Sequence, residues 1–249
     1  MAKIMINILW LFILSNLLIS CTQDSYYPLK DGLDYLDTPQ FYGPINEQFI
    51  ERLSNLEPDE TVITINSTGG TGRLSMRAAN IIENSKITVI VDQYCLSACA
   101  EYLLPAAQEV IFKNDPLIGF HWNTLSLHQQ INQKATKNLS FCDSIEIDKI
   151  ESFYARKKIN TEFWKLTYER ISEPKIKLTY LDNACPKLEI IGVNHSLWFP
   201  SEETLKTDFG LKFSGSLCSD YQACFEVKIP KYLKGNATYV VGKTVFIVR

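Results

Sequence analysis

Ile87 to Val91 is an almost unbroken run of apolar, β-branched residues, and a strand of that composition has no face to offer water. Such a run predicts a strand in a parallel sheet covered by helices on both sides. Its neighbours agree. Thr61 to Ile65 reads as a strand, Asn66 to Gly72 as a glycine-rich turn and Leu74 to Asn84 as a helix, which together with Ile87–Val91 make a βαβ unit. Upstream, Phe49, Ile50, Leu53 and Leu56 recur at helical spacing between Asn46 and Leu56, and Pro58 stops the pattern. Downstream, the small residues Ser97, Ala98 and Ala100 open a helix that should end by Pro105, and short strands are expected at Val110–Phe112 and Leu117–Phe120. Helices are expected from about Asp143 to Lys158, from Thr161 to Ile171 and from Ser201 to Thr207 before Gly210. A closing hairpin pairs Tyr239–Val241 with Thr244–Val248 across Gly242-Lys243. The fold class is therefore α/β, a mostly parallel sheet with flanking helices plus a small C-terminal β extension.

The N-terminal end carries a different kind of information. Lys3, the apolar segment Ile4–Leu14 and the sequence Leu18-Ile19-Ser20-Cys21 have the order of an export signal, and the apolar block is short for a membrane span. The four residues ending at Cys21 resemble the lipobox of bacterial lipoproteins. The resemblance implies that Cys21 is lipidated, each buried CH2 of the acyl chains contributing about 0.8 kcal/mol to membrane anchoring. Thr22 follows in place of the Asp that marks inner-membrane retention, so an outer-membrane site facing the periplasm is expected in a Gram-negative source. The expected organisation is a signal peptide over 1–20, a polar tether over 21–40 with Pro28, Gly32 and Pro39, a main domain over 41–216 and a cysteine-containing β-hairpin extension over 217–249.

A formal net charge of -3 provides no basic stripe, so no nucleic-acid partner is expected. Seven cysteines become six once Cys21 carries lipid, and an even number in an oxidising compartment favours disulfides. Nearest-neighbour pairing joins Cys95 to Cys99, Cys142 to Cys185, and Cys218 to Cys224, one of fifteen possible connectivities. The spacings match no zinc signature, and neither metal nor cofactor is expected.

Four stretches occur in a telling order: Gly43-Pro44-Ile45, Asn66-Ser67-Thr68-Gly69-Gly70, Cys95-Leu96-Ser97-Ala98-Cys99 and Gly119-Phe120-His121-Trp122. Together they resemble the Clp-type serine peptidases of the Clp/crotonase superfold, especially exported relatives with a Cys-x-Ser-Ala-Cys segment. The likeness runs from Phe41 to Trp122 and resumes weakly at Trp198–Leu211. It implies a repeated β-β-α superhelical framework, Ser97 as nucleophile, His121 as general base, and the N–H groups of Gly70 and Ala98 as an oxyanion hole. The chemistry is coherent, because a serine hydroxyl needs a base within hydrogen-bond reach and the tetrahedral intermediate needs donors. A serine opening a helix also serves as an N-cap, Gly69 and Gly70 also suit a tight turn, and a histidine on an apolar strand also suits a core.

The third member is where the pattern breaks. The family places an Asp shortly before the segment that starts here at Trp198, whereas this chain has Asn194-His195-Ser196. Asn194 is the candidate to orient the imidazole, Asp182 is a more distant carboxylate, and His128 and His195 read as surface or structural. The expected activity is that of a lipid-anchored serine hydrolase acting on peptide or protein. The alternative is an inactive Clp-like binding or scaffold lipoprotein. The family commonly forms rings, so a homo-oligomer is a possible state.

Overall fold

The computed structural model describes residues 38–121, 123–126, 144–171, 175–180, 186–192, 197–229, 238–241 and 244–247. The signal peptide, Cys21, most of the tether, Trp122, His128, Cys142, Asp182, Cys185, Asn194, His195 and the Gly242-Lys243 turn lie outside the described residues.

The unit that begins at Thr38 opens with strand β1, Gln40–Ile45, and helix α1, Glu47–Ser54. Asn46 caps the helix, its Oδ1 accepting the Phe49 N–H at 2.9 Å, and Phe49, Ile50 and Leu53 form the buried stripe that the sequence spacing predicts. Strand β2, Val62–Gly70, follows, then helix α2, Gly72–Asn84, capped by Thr71 and pressing Ser75, Ala78, Ala79 and Ile82 inward. Strand β3, Thr88–Leu96, is the centre of the sheet. Val89 and Val91 are wholly buried, as are Ile63 and Ile65 on β2, each such side chain contributing about 1.5–3 kcal/mol.

After β3 the chain makes a π-helical turn, Cys99–Leu103, which runs into the short helix α3, Leu104–Ala106. The helix thus passes Pro105 by one residue instead of ending there. Proline is tolerated because it lies in the first turn of α3, where a missing N–H costs least. Strands β4, Glu109–Phe112, and β5, Leu117–Gly119, both pair with β3: β4 with its first half, Thr88–Val91, and β5 with its second, Tyr94–Leu96. All pairings in this five-stranded sheet are parallel, in the order β1-β2-β3-β4 with β5 beside the far end of β3. The α/β class with a mostly parallel, helix-covered sheet is thereby observed.

One strand is longer than the sequence suggests. Asn66 to Gly70, expected as a turn, stays in β2, held between β1 and β3. The register shifts between Ile65 and Ser67, and there the buried Asn66 takes over the ladder, its Oδ1 accepting the N–H groups of Gln93 at 2.7 Å and Tyr94 at 3.3 Å.

Helices α4, Ser144–Lys157, and α5, Glu162–Arg170, follow, and Arg156 and Lys157 pair with Glu83 of α2. The antiparallel strands β6, Lys175–Tyr180, and β7, Pro186–Gly192, were not anticipated, although Lys175-Ile-Lys-Leu-Thr-Tyr alternates with the period of a strand. Strand β8, Leu197–Phe199, leads to helix α6, Glu202–Thr204, and a second π-helical turn, Leu205–Phe209, closed by Gly210 at φ 84°.

The C-terminal segment contains helix α7, Tyr221–Lys228, in addition to the expected hairpin of β9, Thr238–Val241, and β10, Thr244–Ile247. The extension is therefore not purely β. Strand β9 also pairs with β8 in parallel, so the hairpin completes a three-stranded sheet.

Candidate active site

Ser97 is the first residue after β3, and its φ of 56° places it in the left-handed region. A non-glycine residue adopts that conformation at a cost of about 1–2 kcal/mol, so the surroundings must hold it. Three contacts do so. The Ser97 N–H donates to the Gly119 carbonyl at 2.7 Å, the Ser97 carbonyl accepts the Glu101 N–H at 3.0 Å, and a disulfide joins Cys95 to Cys99 across the turn with Cα atoms 5.3 Å apart. The hydroxyl is not a helix cap: Ser97 Oγ lies 2.5 Å from His121 Nε2.

Gly69 supplies the opposite wall. A Cβ there would meet Leu96 O at 2.7 Å, Ser97 Cβ at 2.8 Å and Ala98 N at 2.9 Å, and its φ of 88° suits glycine. Gly70, exposed at the end of β2, is equally constrained, because a Cβ would stand 2.4 Å from Ile45 O. The glycine pair is thus required by the close approach of β1 and the Ser97 turn to β2. Both residues remain in a strand.

His121 stands two residues past the end of β5, after Phe120. Its position is set by Phe120, which exchanges two 2.8 Å backbone hydrogen bonds with Trp198 and packs against Phe163 and Phe209 at ring separations of 5.0 and 5.1 Å. On the far side, Asn123 and Ser126 bond reciprocally, each backbone N–H donating to the other's side-chain oxygen at 2.9 Å. The imidazole is 38% exposed and so can be reached from solvent.

A carboxyl group not singled out in the sequence lies behind the ring. Glu101 Oε1 is 3.8 Å from His121 Nδ1, on a side chain only 2% exposed. Burial drives the Glu101 carboxyl up to about 8, opposed by a hydrogen bond from the His121 backbone N–H. Tyr154 and Tyr102 stack nearby with their rings 6.1 Å apart, and burial pushes the Tyr154 hydroxyl well above its ordinary range. The available signal was a lone acidic residue in the apolar run Ala98–Leu104, one helical turn after Ser97.

Of the expected disulfides, Cys95–Cys99 and Cys218–Cys224 are formed. Among the described residues, no group of three or more His, Cys, Asp or Glu side chains is placed to hold a metal ion, and no helix is long and apolar enough to cross a membrane. No protein-family model matches this chain, and no curated protein matches its sequence.

Proposed function

We propose that this chain is a serine hydrolase of the cell envelope, a peptidase on a Clp-like framework, tethered by lipid on Cys21. One observation carries the reading: a serine hydroxyl in a left-handed turn, 2.5 Å from an accessible imidazole. Serine is a weak nucleophile until a neighbouring base removes its proton, and this contact supplies the base. The central β3, sharing one side between β4 and β5 and ending just before Ser97, supports the Clp-like framework. The two disulfides suit an oxidising compartment.

In this reading Ser97 Oγ forms a bond to the substrate carbonyl carbon while its proton passes to His121 Nε2. The carbonyl π electrons move to oxygen, where the N–H groups of Gly70 and Ala98 stabilise the charge. Collapse of the intermediate breaks the scissile bond, and the leaving amine takes the proton from Nε2. A water molecule then attacks the acyl-serine, gives its proton to the same nitrogen, and release of the acid returns that proton to Ser97.

Fluorophosphonate labelling of the oxidised protein lacking residues 1–21 tests this directly. Labelling of wild type that is lost in both Ser97→Ala and His121→Ala is expected. Folded wild-type protein that stays unlabelled would instead favour a Clp-like domain that binds a partner without catalysis.

A further inference from the structure

We infer that Glu101 is the positioning residue for His121, holding the ring by its Nδ1 side and stabilising the charge that forms on it, so that the third group of the site comes from the turn that carries the serine. The inference rests on the hydrolase reading for its role in reaction, and on geometry alone for the pairing.

The imidazole has two working edges. Nε2 faces Ser97 Oγ, which leaves Nδ1 to be fixed by something else, and Glu101 Oε1 is the carboxyl oxygen 3.8 Å away. Accepting the Ser97 proton at Nε2 requires the proton of the neutral ring to sit on Nδ1, and an acceptor on that side selects this tautomer. The separation is longer than a hydrogen bond, so the pairing is electrostatic rather than a donor–acceptor contact.

Glu101 is also tied to both partners through the backbone. Its own N–H donates to the Ser97 carbonyl at 3.0 Å, and its carboxyl accepts the His121 N–H. Any shift of the hydroxyl or of the ring therefore reaches the same side chain.

A purely structural carboxyl would not be expected to stand here. Burying an acid without full pairing is costly, and among the described residues Oε1 makes no hydrogen bond. The titratable groups facing it are His121 after β5, Tyr102 beside it in the π-helical turn and Tyr154 of α4. Of these, His121 is the one that gains a positive charge in the proposed reaction. The carboxyl takes no proton from Nδ1; its ionised form is favoured once the ring becomes an imidazolium.

The test uses the oxidised full chain in detergent with 13C-labelled histidine, where only three histidines need assignment and His121→Ala identifies the relevant one. In Glu101→Gln the His121 pKa is expected to fall by about one unit or more relative to wild type, because the imidazolium loses the carboxyl that ionises beside it when the ring gains its proton. The rate of inactivation by fluorophosphonate should drop at least about tenfold, with its pH midpoint moved down in step. If glutamine disturbs folding, Glu101→Met, near in size and suited to burial, carries the same expectations.

An unchanged His121 pKa together with a wild-type inactivation profile in the folded variant would overturn the inference. Wild-type protein that never reacts, yet shows the fall in His121 pKa on substitution, would sink the hydrolase reading while leaving the Glu101–His121 pairing in place.

Discussion

Gly69 and Ser97 are packed so closely that a Cβ on the glycine would stand 2.8 Å from the Cβ of the serine. No rotamer relieves this, since a Cβ position is fixed by the backbone, and the φ of 88° adds its own penalty. Gly69→Ala is therefore expected to lower stability by about 1–3 kcal/mol or more. It should also displace the Ser97 turn, so that fluorophosphonate labelling of the remaining folded protein falls well below wild type. Full labelling of a folded Gly69→Ala variant would show that the turn yields without moving the hydroxyl.

The Cys95–Cys99 bridge closes a very short loop, for which the chain-entropy contribution is about 2 kcal/mol. The double variant Cys95→Ala, Cys99→Ala is expected to be less stable by about that amount and to melt at a lower temperature. It should label more slowly still, because Ser97 then keeps its left-handed φ through the backbone contacts alone. Equal labelling rates for bridged and unbridged folded protein would assign the disulfide to stability only.

Glu101 makes stability depend on pH in a definite direction. Between the ordinary carboxylate range and about 8, the native protein retains a proton that the unfolded chain has released. Stability from this group is thus highest in mild acid and declines as pH rises through that window. Glu101→Gln removes the dependence, so its melting temperature relative to wild type should increase steadily from pH 5 to about 8. Parallel melting curves for the two proteins across that range would contradict the assignment.

Asn66 offers a prediction independent of any catalysis. Its Oδ1 satisfies two backbone N–H groups where the β2–β3 register shifts, and the residue is buried. Asn66→Ala leaves both donors without this acceptor, at an expected cost of about 2–3 kcal/mol. Urea unfolding measures the loss, and an Asn66→Ala variant as stable as wild type would mean that the side-chain oxygen is not what satisfies the two donors.

The order of strands and helices from Phe49 to Phe120 was legible because each apolar pattern has its own period and its own stop signal. What the pattern could not convey was competition from neighbours. Asn66 to Gly70 has the composition of a turn, yet it is held extended by β1 on one side and β3 on the other, a tertiary constraint on residues with little preference of their own. Ser97 and His121 were found through the spacing of their motifs, and the structure brings them together. Glu101 was missed because an acidic residue in a helix is ordinarily a solvated one, and only packing against Tyr154 and His121 reveals it as buried. Asn194, the expected third member, falls outside the described residues, as do Cys142 and Cys185.

Ser97, Glu101 and His121 all come from one stretch of chain that runs from the end of β3 to just past β5. The arrangement is modular: hydroxyl, ring and carboxyl travel together on a single segment, while α4, α5 and β8 pack against it from elsewhere. Sequence drift in those packing elements can reshape the surroundings of the segment and still leave its hydroxyl, ring and carboxyl in register with one another.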